Sequence, residues 1–217
     1  MAEVSYAMIL ERLVVGMLQT NCYLLADPHT HQAAVIDPGG EVDRILARIA
    51  HHQLEVASIL NTHGHFDHVL DAWSLQGKVG GQIALHRDDQ PILKDRSVGL
   101  MAVLTSLKRS PKGPVDRWLR DGDQVQVGRM CLEVLETPGH TPGHISYYLS
   151  EADLIFVGDT LFAGSIGRTD FPGGSYDQLI RSVRTKIFPL SDSTKVYPGH
   201  GPETTVGREK RTNPFFQ

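Results

Sequence analysis

Four apolar, strand-like runs in this sequence each stop at a glycine-bearing turn that presents a histidine or an aspartate. Val56–Leu60 runs into Asn61-Thr62-His63-Gly64-His65-Phe66-Asp67-His68, and the run ending at Glu136 into Thr137-Pro138-Gly139-His140. The run ending at Val157 leads to Gly158-Asp159, and the one ending at Tyr197 to Pro198-Gly199-His200. Glycine lets the backbone turn sharply and approach a ligand closely. Strand ends in a rigid sheet hold side chains to within about 0.5 Å. A lone histidine is more often a hydrogen-bonded core residue than a ligand. That reading fails for His63–His68, because four ionisable side chains in six residues cannot all be buried neutral without partners. At this histidine and aspartate content, H-x-H-x-D-H arises by chance in roughly 2 of 1,000 such sequences.

The spacing points to a metal centre. His63 and His65 are two apart on an extended segment and face the same way, so they can hold one ion together. Asp67 and His68 sit where the chain turns into a helix and can face a second. Seven candidates are too many for one tetrahedral ion. They divide as His63, His65 and His140 on one side and Asp67, His68 and His200 on the other, with Asp159 able to bridge through its two oxygens. Two divalent ions about 3.5–4 Å apart can share a hydroxide. Nitrogen and carboxylate donors suit zinc first, with iron or manganese as alternatives. His144 is kept out of the ligand set as a residue that can equally hydrogen-bond a ligand or the turn. His29, His31, His51, His52 and His86 fit no ligand spacing and read as surface or packing residues.

The rest of the chain supplies the scaffold. Strands are expected at Ile9–Val15, Asn21–Ala26, Gln32–Ile36, Val56–Leu60 and Gln82–His86, with helices over Glu41–His52 and Val69–Val79. Val42, Ile45, Leu46 and Ile49 make one face of the first helix. Strand–helix alternation of this kind is an α/β signature. Residues 88–118, broken by Pro91, Pro111 and Pro114, read as a helical excursion resembling a lid. Closely spaced strands then follow at Gln124–Val127, Met130–Glu136, Ile145–Leu149 and Leu154–Val157, as antiparallel hairpins. A helix over Ser175–Phe188 and a last strand at Thr194–Tyr197 complete a single domain spanning 1–217.

Composition excludes several classes. A net charge of −4 makes the chain a poor partner for nucleic acid or anionic lipid. No apolar stretch approaches the roughly 18 residues of a spanning helix, and the N-terminus lacks a signal-peptide pattern, so a cytoplasmic protein is expected. Cys22 and Cys131 lie in apolar runs and read as two buried free thiols.

At its ligand motifs the sequence resembles the metallo-β-lactamase superfamily, and within it the glyoxalase II-type hydrolases in their short, single-domain bacterial form. The residues that carry the resemblance are Asp37-Pro38-Gly39, Thr62–His68, Pro138–His144, Gly158–Phe162, Gly167-Arg168-Thr169-Asp170, Pro198–Gly201 and Arg211–Phe215. The resemblance implies an αββα sandwich of two mixed sheets flanked by helices, with the metals at the sheet edge. It implies hydrolysis of a small-molecule thioester such as S-lactoylglutathione by a hydroxide bridging two metals. Asp67 would orient that hydroxide and take its proton, and Arg168 would contact the glutathione part of the substrate. The full-length enzymes' C-terminal helical domain has no counterpart in the 17 residues after His200, and Gly201-Pro202 replaces their Glu-Tyr. Gly167–Phe171 also resembles persulfide dioxygenases of the same superfamily, which would use one iron on His63, His140 and Asp159. A lactonase or other esterase shares all the ligands.

Overall fold

The computed structural model describes residues 7–94 and 113–217. Two six-stranded sheets pack face to face. The first has the order β1 (Ile9–Val15), β2 (Thr20–Ala26), β3 (Gln32–Ile36), β4 (Glu55–Leu60), β5 (Gln82–His86), β6 (Arg117–Leu119). Its first three strands are antiparallel and the rest parallel. The second contains β7 (Gln124–Val127), β8 (Met130–Glu136), β9 (Ile145–Leu149), β10 (Leu154–Gly158), β13 (Lys195–Pro198) and β14 (Thr204–Thr205), in the order β14-β13-β10-β9-β8-β7. Here only β10 and β13 run parallel. A small hairpin, β11 (Leu161–Phe162) and β12 (Ser165–Ile166), stands apart from both sheets.

Strand alternation builds the layers, because successive side chains point to opposite faces. On β3, Ala34 and Ile36 enter the inter-sheet core while Ala33 and Val35 face outward. On β10, Leu154 and Phe156 point inward while Ile155 and Val157 face the other way. The outward face of the first sheet is covered by α1 (Val42–His51) and α3 (Ala72–Val79), through Val42, Ile45, Ile49, Ala72 and Leu75. The second sheet is covered by α5 (Tyr176–Ser182), its π-helical continuation Val183–Ile187 and α6 (Val206–Thr212). The result is the expected αββα sandwich.

Several details depart from the sequence reading. The helix expected over Val69–Val79 is two pieces, α2 (Phe66–Val69) and α3, which starts later. Asp71 at the break donates its N–H to Pro38 O at 3.0 Å, outside the helical ladder. Glu41 does not lie in the first turn of α1; it precedes the helix in the left-handed conformation. Thr194–Tyr197 is not the last strand, since β14 and α6 follow it. Both cysteines are free, but Cys131 is only partly buried. Of the 88–118 excursion, residues 95–112 lie outside the described residues. Its start is a short turn and α4 (Gln90–Lys94), and its end is β6. Among the described residues no helix is long and apolar enough to cross a membrane.

Candidate metal centre

The predicted strand ends meet at one edge of the sandwich. β4 delivers His63 and His65 on the turn that follows it, and α2 carries Asp67 and His68. The turns after β8, β10 and β13 deliver His140, Asp159 and His200. Candidate ligand atoms of His63, His65 and His140 lie within 4.8 Å of one another, as do those of Asp67, His68 and His200. A third such group, His63, His68 and Asp159, joins the two. Asp159 spans the gap: Oδ1 is 3.5 Å from His68 Nε2, while Oδ2 is 3.6 Å from both His140 Nε2 and His200 Nε2. The structure thus brings all seven candidates together, His63, His65 and His140 in one group and Asp67, His68 and His200 in another, with Asp159 near both.

The donor set fits cations. Four buried side-chain polar atoms among the described residues lack a hydrogen-bond partner, and three belong to this cluster: His63 Nε2, His68 Nε2 and Asp159 Oδ1. Buried polar atoms are ordinarily paired, so three converging lone pairs mark a place for a positive ion. The opposite ring nitrogens of three histidines are occupied. His63 Nδ1 lies 3.0 Å from Thr62 Oγ1, which donates to Asp37 Oδ2 at 2.7 Å. His68 Nδ1 lies 3.0 Å from the same Asp37 oxygen. His140 Nδ1 donates to Arg168 O at 2.7 Å. Each such partner fixes the tautomer; Nε2 of His63 and of His68 is left without a partner, while His140 Nε2 lies 2.9 Å from His65 Nδ1.

Charge and burial divide the imidazoles. Burial dominates at His63, His65 and His140 and pushes their pKa values down, to about 4 for the last two. At His68 burial also acts downward, but the carboxylates of Asp67, Asp159 and Asp37 prevail and raise it to about 10. His200 is raised despite its burial, through its contact with Asp67. Burial raises Asp159. Burial acts upward on Asp67 too, yet the charges of His68 and His200 hold its carboxyl well below the usual range. Thr20 Oγ1 donates to Asp67 Oδ2 at 2.9 Å, and His200 Nε2 is 3.2 Å from the same oxygen.

Three supporting residues escaped the sequence reading. Asp37 was visible only as part of a turn, although its carboxylate serves both His63, through Thr62, and His68. Asp89 lies inside the supposed excursion, yet it is fully buried. It accepts from Gly64 N at 2.7 Å, Thr141 Oγ1 at 2.8 Å and Gly143 N at 2.6 Å, tying together the turns that carry His65 and His140. Thr20 offered no signal, being a hydroxyl in a strand. His144 is no candidate ligand: its Nε2 accepts the Asp159 N–H at 3.1 Å, and Nδ1 lies 3.0 and 3.1 Å from the hydroxyls of Thr137 and Thr160. Among the histidines left out of the cluster, His29, His31 and His51 are exposed. His52 contacts Glu11 and His86 contacts Glu136. Arg168 stacks over the Phe171 ring at 3.6 Å, and Phe171 lies edge-on to His65 at 5.7 Å. The guanidinium is also paired with Asp170 through bonds of 2.8 and 2.7 Å.

Comparison with known proteins agrees with this fold. The metallo-beta-lactamase superfamily profile matches residues 15–205. The chain is 42% identical over 210 residues to the hydroxyacylglutathione hydrolase GloC of Haemophilus influenzae, covering 96% of this chain and 98% of that one. The crystal structure of the BLEG-1 B3 metallo-beta-lactamase superposes with a TM-score of 0.89 at 35% identity, covering 96% of this chain and 100% of that one. TTHA1623, solved in a di-iron-bound form, gives a TM-score of 0.83 at 38% identity over 94% of this chain and 99% of that one. With the fold, the convergent ligand groups and these relatives in agreement, the chain is a metallo-hydrolase that belongs to the metallo-β-lactamase superfamily.

Proposed function

We propose that this protein hydrolyses thioesters of the hydroxyacyl-glutathione type at a two-cation centre held by His63, His65 and His140 on one side, Asp67, His68 and His200 on the other, and Asp159 between them. The carrying observation is the 42% identity to a hydroxyacylglutathione hydrolase along nearly the whole of both chains. Bound cations supply Lewis acidity, which makes water nucleophilic near neutral pH and polarises an acyl carbonyl. The protein's own part is positional. Thr62, Asp37 and the Arg168 carbonyl aim three imidazoles inward, and His144 holds the turn of Asp159 through the backbone N–H. Asp67, kept ionised by its histidine neighbours and oriented by Thr20, accepts a hydrogen bond from the attacking water and so orients it. The thiol leaves as a thiolate without a strong general acid, since its pKa near 8.5 makes it a good leaving group. Arg168, beside Phe171 at the His65 end, contacts the thiol portion of the substrate. Zinc is the first expectation for the metal, with iron or manganese as alternatives.

The unpartnered, buried His68 Nε2 favours two cations over a single iron on His63, His140 and Asp159, because the single-iron arrangement leaves it unused. The test is a panel of S-lactoylglutathione, an acyl-homoserine lactone, a β-lactam and glutathione persulfide, on protein whose metal content has been measured. Fastest turnover of the thioester, with two metals per chain and loss of activity on chelation, is the expected result. Thioester turnover no faster than that of chelator-treated protein sinks the proposal. One iron per chain with oxygen uptake on the persulfide replaces it with a dioxygenase.

A further inference from the structure

The segment from Asp159 to Arg168 begins and ends at the metal centre. Asp159 supplies the carboxylate between the two ligand groups, and Arg168 offers its carbonyl to His140 Nδ1. Between them the chain makes the β11–β12 hairpin, which is paired to neither large sheet. The two arms come together again at their base, where a Cβ on Gly167 would overlap the Asp159 carbonyl.

The far end of the hairpin is fastened to the C-terminal helix. Glu209 of α6 is fully buried. Its Oε2 accepts from Gly164 N at 2.8 Å and from Asn213 Nδ2 at 2.9 Å, and Oε1 accepts from Thr204 Oγ1 at 2.5 Å. Asn213 Nδ2 also donates to Ser165 O at 3.0 Å. Gly164 of the hairpin turn and Ser165 at the start of β12 are thus gripped through the backbone. Phe215 N donates to Asn213 Oδ1 at 3.1 Å, which fixes the amide so that its Nδ2 faces the hairpin. A buried carboxylate is costly unless its oxygens are all hydrogen-bonded, and the three donors satisfy this one.

We propose that Glu209 and Asn213 are positioning residues for the metal centre. Holding the hairpin turn fixes both bases of the hairpin, and with them the Asp159 carboxylate and the carbonyl that orients His140. This inference rests on the metal-centre reading above. It also gives the C-terminal Arg211–Phe215 stretch a role, since Asn213, its central residue, reaches from α6 to the hairpin.

The test measures metal affinity directly, by competition with a chromophoric chelator on the full-length protein, so that it does not depend on the choice of substrate. Glu209→Leu and Asn213→Ala should each weaken retention of at least one of the two metals by about tenfold, the low end for partners that support metal ligands. Glu209→Gln should retain wild-type affinity, because its amide oxygen can accept from Gly164 and Asn213 while its nitrogen donates to Thr204. Thr204→Val is the control. It removes a bond to the same carboxylate but none to the hairpin, and should lower thermal stability while leaving metal affinity unchanged. If Glu209→Leu does not fold, Asn213→Ala decides. Wild-type affinity in Asn213→Ala, or equal metal loss in Thr204→Val, overturns the proposal. Failure of the wild-type protein to bind metal would instead overturn the metal-centre reading itself.

Discussion

Asp37 shows how much of a metal centre depends on a side chain that touches no metal. Its Oδ1 accepts from the Thr62 N–H at 2.7 Å, and Oδ2 receives both the Thr62 hydroxyl and His68 Nδ1. One carboxylate therefore sets the orientation of an imidazole in each ligand group. It does so from a left-handed backbone, with φ of 51°, a conformation that aspartate and asparagine tolerate better than most residues. Asp37→Asn should keep that backbone but replace an accepting oxygen with a donor. We expect a loss of about 10- to 100-fold in metal affinity or kcat with the fold retained; metal stoichiometry and circular dichroism on the same preparation check it. Wild-type metal affinity in Asp37→Asn would show that the two rings are held by packing alone. The candidate ligands were legible in the sequence because metal binding imposes local spacing. Asp37 and Asp89 were not, because their partners lie 25 to 54 residues away in the chain. No local pattern records such a pairing.

At the scale of elements, α1 is moored to the edge strand β1 through Glu11. Arg48 donates to both its oxygens, at 2.7 and 2.6 Å, and His52 Nε2 is 2.6 Å from Oε1. The hydrogen bonds from Arg48 are the largest cause of a carboxyl pKa lowered to about 2. A carboxylate depressed in the folded state stabilises fully above its unfolded value, about 4.3, and loses that contribution as pH falls through the folded value. Glu11→Gln should therefore lower the melting temperature by about 2 °C at pH 7. The difference from wild type should shrink from about pH 4.5 downward and approach zero near pH 2. Melts across that range check it, and a gap independent of pH would show that the carboxylate charge is not responsible. The elements were readable where apolar residues kept a period, as on α1. They were unreadable where strands were two residues long, as in β11, β12 and β14, or where burial fell on polar groups. In α6 the buried positions are Val206, Gly207 and Glu209, which leaves no apolar stripe to find. The split between α2 and α3 was hidden for another reason: Gly39 is packed so closely on the Asp67 carbonyl that a Cβ there would overlap it. The helix yields to a contact made by a distant turn.

For the whole molecule, the two sheets share an apolar core along their length and meet again at the ligand cluster. The first half contributes His63, His65, Asp67 and His68, and the second contributes His140, Asp159 and His200. Cations held between them would act as a cross-link that the unfolded chain cannot reproduce. Metal present at a thousand times its dissociation constant should add about 4 kcal/mol of stability. For a chain of this size that is a rise of roughly 8–16 °C in melting temperature over chelator-treated protein. Calorimetry of the two forms tests it, and coincident melts would mean that the ions do not bridge the halves.

Synthesis delivers the seven side chains in an order with its own effect. The chain is made from its N-terminal end, so His63–His68 emerge early, while His200 comes last of the seven. A polypeptide released just short of that histidine would lack a candidate donor of the Asp67–His68 group and, with it, β14 and α6. Such a product would miss both a ligand candidate and the helix that fastens the hairpin, so a late stop would strike the centre twice.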